Sequence, residues 1–372
     1  MTDEMKAKRE LLFSGSKNGY DRVDQQTLDA MEAYCRDYKS FLDHSKTERE
    51  CTAHTVALAE AAGFIPYERG MALQPGDRVY RVNRKKSVML AVIGRESLSE
   101  GAQIVACHID SPRLDLKPHP IYEDSDRVKL RVLDLLHEKY GICEDDLTSA
   151  ELEVVPAFNA TDVGLDGSLI GAYGHDDRVC SYAALKALLE LETPTKTAVC
   201  MLADKEEIGS MGVTGMQSAF FDTFMEDLCE SQGVALRVCY ESAFCLSSDV
   251  TAAYDPNFAE VYEKRNDAQV NHGLGLCKYT GARGKGGSSD ADAETVAYVR
   301  RVMDEAGVVW QIGEMGKIDA GGGGTVAQYM ANRNITTIDA GVPVLSMHAP
   351  FETVGKLDCY MNYLGCKAVY LA

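Results

Sequence analysis

A chain of 372 residues with an ordinary apolar share of 45% can bury a large core without covalent staples. A net charge of -19 excludes a nucleic-acid binder, which needs a basic footprint, and no apolar run approaches the length of a membrane span. The twelve cysteines are scattered with no C-x-x-C pair, so buried free thiols are expected rather than a disulfide framework. With a charged first segment, MTDEMKAKRELL, that lacks a signal core, the sequence predicts a cytoplasmic protein.

In chain order, Asp24 to His44 reads as an amphipathic helix, because Leu28, Met31, Tyr34, Cys35 and Tyr38 fall on one face. A second helix is predicted from Glu48 to Ala62, stopped by Gly63. Strands follow in RVYRV, SVMLAVI and AQIVACH, the last apolar throughout and ending in His108. From Ser111 to Gly174 the pattern is less regular, with a helix in VKLRVLDLLHEKYG and a strand in AELEVV. Then come a helix from Asp177 to Leu191, a strand in TAVCMLA that runs into DKEEIGS, a helix from Met216 to Cys229 and a strand in ALRVCYES. A helix is expected to start near Ser288, a short one after Gly321 to Gly324, and a final strand in TTIDAG leads into VPVLSMHAP. Strands alternating with helices predict an α/β fold, a mostly parallel mixed sheet flanked by helices. In such sheets the ligand crevice lies beyond the carboxyl ends of the strands, where His108, the Glu206–Glu207 pair and Asp249 are expected.

Each polar motif there has an ordinary reading beside a chemical one. His108 and Asp110 form a hydrogen-bonded pair, or a ligand oriented by a carboxylate. In HDDR, Asp176 and Asp177 cap a helix, which is the better local reading, or one carboxylate bridges two metals. In DKEEIGS, Glu206 and Glu207 decorate a solvated loop, or one ligates metal while the other acts as general base. Asp249 in SSDV is nondescript, and His348 in MHAP reads alone as a satisfied core histidine. Together, two histidines and three carboxylates, one of them bridging, give each of two zinc ions three protein ligands and leave one carboxylate as base.

The blocks CHIDSPRLDLKP, AYGHDDRVCSYAAL, DKEEIGSMG, SSDVTAAYDPNF, KYTGARGKGGSSDADAE and VLSMHAPFE together resemble the aspartyl aminopeptidase family of zinc metallopeptidases, most closely its bacterial branch, over nearly the whole chain. The resemblance implies the zinc-dependent exopeptidase fold and two Zn2+ per chain, with Co2+ or Mn2+ as substitutes. His108 and Asp249 would hold one ion, Glu207 and His348 the other, and Asp176 would bridge them. Glu206 would be the general base and Asp110 would orient His108. A metal-bridged water would then release N-terminal residues, acidic ones among the candidates, from peptide substrates. Lys278 would pair with an acidic first side chain, and Gly323 in its glycine run would let backbone approach the substrate; a surface lysine and a plain loop are the ordinary readings.

Family members carry a substantial second domain between the first His block and the DDR block, which mediates dimerisation and lends a histidine to the neighbouring site. Here PIYED passes directly into SDRVKLRVLDLL, with a junction near Asp124 and Ser125. The expected division is a catalytic domain over 1–119 and 161–372 and a remnant of the dimerisation and lid domain over 120–160, which leaves homo-oligomerisation open. His137, in the remnant, does not inherit the missing histidine's role. Two alternatives stand beside the peptidase: a metal-binding but catalytically silent subunit, and a hydrolase of small N-acyl amino acids on the same dinuclear site.

Overall fold

The computed structural model describes residues 2–12, 17–120, 126–283, 285–317 and 319–372. The contacts divide the chain into a large unit, Met1–Ser111 with Phe158–Ala372, and a small one, Pro112–Ala157. The junction expected near Asp124 and Ser125 lies outside the described residues.

Among the described residues, nine strands of the large unit form one mixed sheet. Their order is Ile65–Pro66, Arg78–Asn83, Ser87–Val92, Thr197–Ala203, Ala102–His108, Phe244–Ser247, Thr336–Gly341, Leu274–Cys277 and Trp310–Ile312. The four central strands, from Thr197–Ala203 to Thr336–Gly341, pair in parallel, and antiparallel pairs flank them. The continuous apolar runs follow from burial on both faces. Val105 and Cys107 enter one core with Cys200 and Leu202, whereas Ile104 and Ala106 enter the other with Val199 and Met201. Register then aligns the strand ends: His108 pairs with Ala203, and Ser247 pairs with both Ala106 and Asp339.

Helices cover the first core. Gln25–Asp43 buries Met31, Tyr34, Cys35 and Tyr38 and is capped by the Asp24 side chain. His175–Leu189 and the closing helix Lys356–Leu371 are buried along most of their length and pack on each other. The helix Glu48–Ala61 starts on a Thr47–Glu50 capping box and ends before Gly63, whose φ is +85°. A second sheet has the order Thr251–Ala252, Pro343–Leu345, Glu352–Gly355, Leu169–Ala172, Thr161–Val163.

Three local expectations are corrected. ALRVCYES is the helix Leu236–Ser242, and the strand begins after it at Phe244. Cys239 and Tyr240 are its buried residues, and Tyr240 stacks on Phe221 of the helix Phe220–Glu230. Tertiary packing overrides strand propensity there. Ser288 lies in a strand, Gly286–Asp290, paired with Tyr279–Ala282; the helix starts at Ala293, capped by Asp292. AELEVV contributes only Glu153–Val154. The closing helix was not anticipated.

In the small unit, Leu114–Asp115 pairs with Glu153–Val154, and the helix Asp126–Tyr140 lies between them in sequence. Arg113 ties this ribbon through Asp115 and Glu153. All twelve cysteines are free and all but Cys143 are buried. No helix among the described residues is long and apolar enough to cross a membrane.

Candidate metal centre

The parallel strand ends deliver the donors. His108 is the last residue of its strand, Glu207 lies four residues past Ala203 beside Glu206, and Asp249 lies two past Ser247. The other two come from the second sheet: Asp176 follows the strand Leu169–Ala172, and His348 sits between Pro343–Leu345 and Glu352–Gly355.

All five expected ligands converge, and Glu206 with them. The Nε2 atom of His108 lies 3.1 Å from Oδ1 of Asp176, 3.6 Å from Asp249 and 4.0 Å from Glu206. The Nε2 atom of His348 lies 3.1 Å from Oδ2 of Asp176 and 3.2 Å from Glu207. Asp176 therefore turns one carboxylate oxygen to each histidine. Its carboxylate turns to the histidines rather than to the helix, and Asp176 and Asp177 keep non-helical backbone angles. The capping reading, preferable on local grounds, fails because the carboxylate has distant partners.

Supporting contacts fix these side chains. Nδ1 of His108 lies 3.2 Å from Oδ1 of Asp110 and 3.1 Å from its carbonyl oxygen. A proton on Nδ1 shared with Asp110 leaves the Nε2 lone pair free. The two oxygens of Asp110 also accept the backbone N–H groups of Glu206 (3.0 Å) and Glu207 (3.2 Å). Asp177 accepts the N–H of His108, and Ser181 donates to its carbonyl. Glu352 accepts the N–H groups of His348 and Asp176. These supporting roles of Asp177, Ser181 and Glu352 were not foreseen; Asp177 was expected only as a helix cap. Glu352 is the last residue of the block VLSMHAPFE, four residues past His348, and that place in the block was its signal in the sequence.

The electrostatics show an excess of negative charge. Burial pushes Glu206 and Glu207 up to about 8, with neighbouring carboxylates adding to the shift. Burial likewise raises Asp249. Asp176 goes the other way, to about 2, because its bonds to His108 and His348 outweigh its burial. The same bond to Asp176 is the main cause that lifts His348 to about 9. Burial opposes the charge on His108, but Asp249, Asp110 and Asp176 override it.

The donor set fits zinc. Imidazole nitrogens and carboxylate oxygens are zinc ligands, and two donors on one tetrahedral zinc stand about 3.3 Å apart, close to the spacings here. Oε1 of Glu207 is buried without a hydrogen-bond partner, as a donor meant for a cation would be. The triads His108–Glu206–Asp249 and His108–Asp176–Glu207 each bring one donor atom per residue within 4.8 Å of the others.

The two substrate candidates both contact the strand Tyr279–Ala282. Nζ of Lys278 lies over the Tyr279 ring at 4.8 Å, and the carbonyl of Gly323 accepts the N–H of Gly281. Beside them is a cavity of about 390 Å³, lined by Gly321 and Gly322 and by the carboxylates Asp290, Glu314 and Asp319.

A parallel-centred α/β sheet with a carboxylate–imidazole cluster beyond its strand ends defines the class of metal-dependent hydrolases. Comparison with known proteins narrows it. The family model "Aminopeptidase I zinc metalloprotease (M18)" matches residues 41–126 and 121–370, two segments that meet at residues 121–126. A curated relative from Clostridium acetobutylicum, "Probable M18 family aminopeptidase 1", is 36% identical over 96% of this chain and 98% of its own length. The M18 family aminopeptidase structure from Thermotoga maritima superposes with a TM-score of 0.91 at 33% identity, covering 96% of this chain and 99% of that one. The Clostridium acetobutylicum aminopeptidase I structure gives 0.90 at 35% identity, covering 97% and 100%. The chain belongs to the M18 family of zinc metalloproteases and is by class a metallo-aminopeptidase, a peptide hydrolase. The alignment with the Clostridium relative runs over 457 positions, so at least 85 of them have no residue in this 372-residue chain.

Proposed function

We propose that this chain releases N-terminal residues from peptides at a two-zinc centre. His108 and Asp249 would hold one ion, His348 and Glu207 the other, and Asp176 would be shared between them. The observation that carries this reading is the division of the Asp176 carboxylate, 3.1 Å from each histidine on opposite oxygens. When bound, the ions supply Lewis acidity and ready a water for attack on the first peptide carbonyl. Glu206 acts as the base. Its carboxyl lies 4.0 Å from Nε2 of His108, farther than those of Asp176 and Asp249, and burial with nearby negative charge raises its proton affinity. It takes the proton from water and returns it to the leaving amine. Asp110 holds both the His108 ring and the loop that presents Glu206 and Glu207.

The test is hydrolysis of aspartyl, glutamyl, leucyl and lysyl amides with zinc, cobalt or manganese. Glu206→Gln is expected to lose roughly 10²–10⁴-fold in kcat while retaining its metal. Absence of turnover with every substrate overturns the reading. For the first residue, two features oppose each other. Lys278 would pair with an acidic side chain, whereas Asp290, Glu314 and Asp319 around the neighbouring cavity would favour a cationic one. Ranking the amides by kcat/KM decides between them.

The shortened chain favours one alternative, a metal-binding but silent subunit, since at least 85 aligned positions are missing. In that case Glu206→Gln and the parent behave alike in every assay. The small unit, with its exposed Leu114, Leu135 and Val154, would be the remnant of the dimerisation domain. Light scattering reads whether the chain still assembles.

A further inference from the structure

Glu352 is almost fully buried, at 1% exposure, and it begins the strand Glu352–Gly355. That strand lies between two others in the second sheet. On one side it pairs with Leu169–Ala172, Glu352 facing Ala172, and that strand leads within four residues to Asp176. On the other it pairs with Pro343–Leu345, which leads within three residues to His348. The two oxygens of Glu352 are divided between these loops: Oε1 accepts the His348 N–H at 2.7 Å and Oε2 the Asp176 N–H at 3.0 Å. His348 itself takes a left-handed backbone, φ +66°, which a non-glycine residue adopts at a cost and keeps when surrounding contacts over-determine it. Asp110 makes the equivalent pair of bonds to Glu206 and Glu207 on the facing loop.

We propose that Glu352 is a positioning residue for half of the dinuclear centre: by spanning the backbones of Asp176 and His348 it sets the distance between the bridging carboxylate and the second histidine, and so the affinity for the ion that His348 and Glu207 hold. The inference rests on the two-zinc reading above. Glu352 touches no substrate and acts through the two ligands. A carboxylate is needed because both partners are donors; an amide offers one acceptor and would aim its NH2 at the other N–H. Length is needed as well, because a side chain shorter by one methylene cannot reach both groups.

The test is zinc titration of metal-free protein by calorimetry with chelator competition, on wild type, Glu352→Gln and Glu352→Asp, beside thermal melting of each metal-free protein. Wild type is expected to take up two ions. Both variants should melt near wild type and hold one ion unchanged, with affinity for the other weakened about 10- to 100-fold, the usual cost of losing an outer partner of a ligand. His348→Ala identifies the weakened ion, and adding Glu352→Gln to it should weaken the remaining ion no further. Wild-type affinity for both ions in the variants, equal weakening of both ions, or full recovery in Glu352→Asp, which keeps charge but not span, overturns the inference. Should Glu352→Gln fail to fold, Glu352→Asp carries the test alone. Wild-type protein that binds fewer than two ions overturns the two-zinc reading itself, and the inference with it.

Discussion

Asp176 shows how far a single residue can be read in isolation. Its neighbours suggest a helix cap, but its partners, His108 and His348, arrive from other parts of the chain, and only their convergence reveals the carboxylate between them. The local signal was genuine and incomplete, because a side chain in a helix's first turn can turn away from that turn. Since each oxygen serves a different histidine, Asp176→Asn is expected to weaken both ions rather than one. An amide nitrogen cannot replace a ligating oxygen, and the shared negative charge is lost. Metal content after desalting should fall toward zero, whereas Asp249→Asn should spare one ion. Lys278 is a different case. Its described contact is the Tyr279 ring, so Lys278→Met should leave leucyl amide turnover within about twofold, roughly 0.4 kcal/mol in barrier height, and lower only kcat/KM for aspartyl and glutamyl amides. An equal fall for all substrates removes it as a selector.

At the scale of elements, the readable part of the fold was the part with a strong period. AQIVACH and TAVCMLA form the strands Ala102–His108 and Thr197–Ala203, because burial on both faces demands unbroken apolar runs. The second sheet was not legible, since its strands have four or fewer residues and carry no countable alternation. It supplies two of the five proposed ligands and Glu352, so the motif residues were visible while their scaffold was not. The closeness of these elements is exposed at Gly341, the end of its strand. A Cβ there would lie 1.7 Å from the carbonyl oxygen of Asp249, backbone that cannot rotate away. Gly341→Ala is therefore expected to push Asp249 outward, costing about 1–3 kcal/mol in stability and weakening the ion held by His108 and Asp249. A lowered denaturant midpoint with reduced zinc content would show it; a variant with wild-type zinc affinity would mean the loop yields freely.

At the scale of the whole molecule, the metal-free centre is a store of charge repulsion inside a chain already at -19. Burial, with nearby carboxylates, raises Glu206 and Glu207 from 4.5 to about 8. The bond to Asp176, chief among the causes, raises His348 from 6.5 to about 9. All three groups bind protons more tightly in the folded state, so between about pH 5 and 9 the native protein holds more protons than the unfolded chain. Their contribution is present in full below the unfolded values and is lost as pH rises through the folded ones. Asp176, lowered to about 2, shifts only in the acid range and does not offset this trend. The metal-free protein should therefore melt lower at pH 9 than at pH 6. Zinc opposes this slope in two ways: it neutralises the cluster, and it competes with fewer protons as pH rises, so its apparent affinity rises and with it its stabilisation, which follows RT ln(1 + c/Kd) at free zinc concentration c. Paired melting curves at pH 6 and 9, with and without zinc, should show the gap between loaded and metal-free protein widening by several degrees. A gap that is constant with pH would mean that these side chains are already relaxed without metal and that the cluster is not held together by its fold.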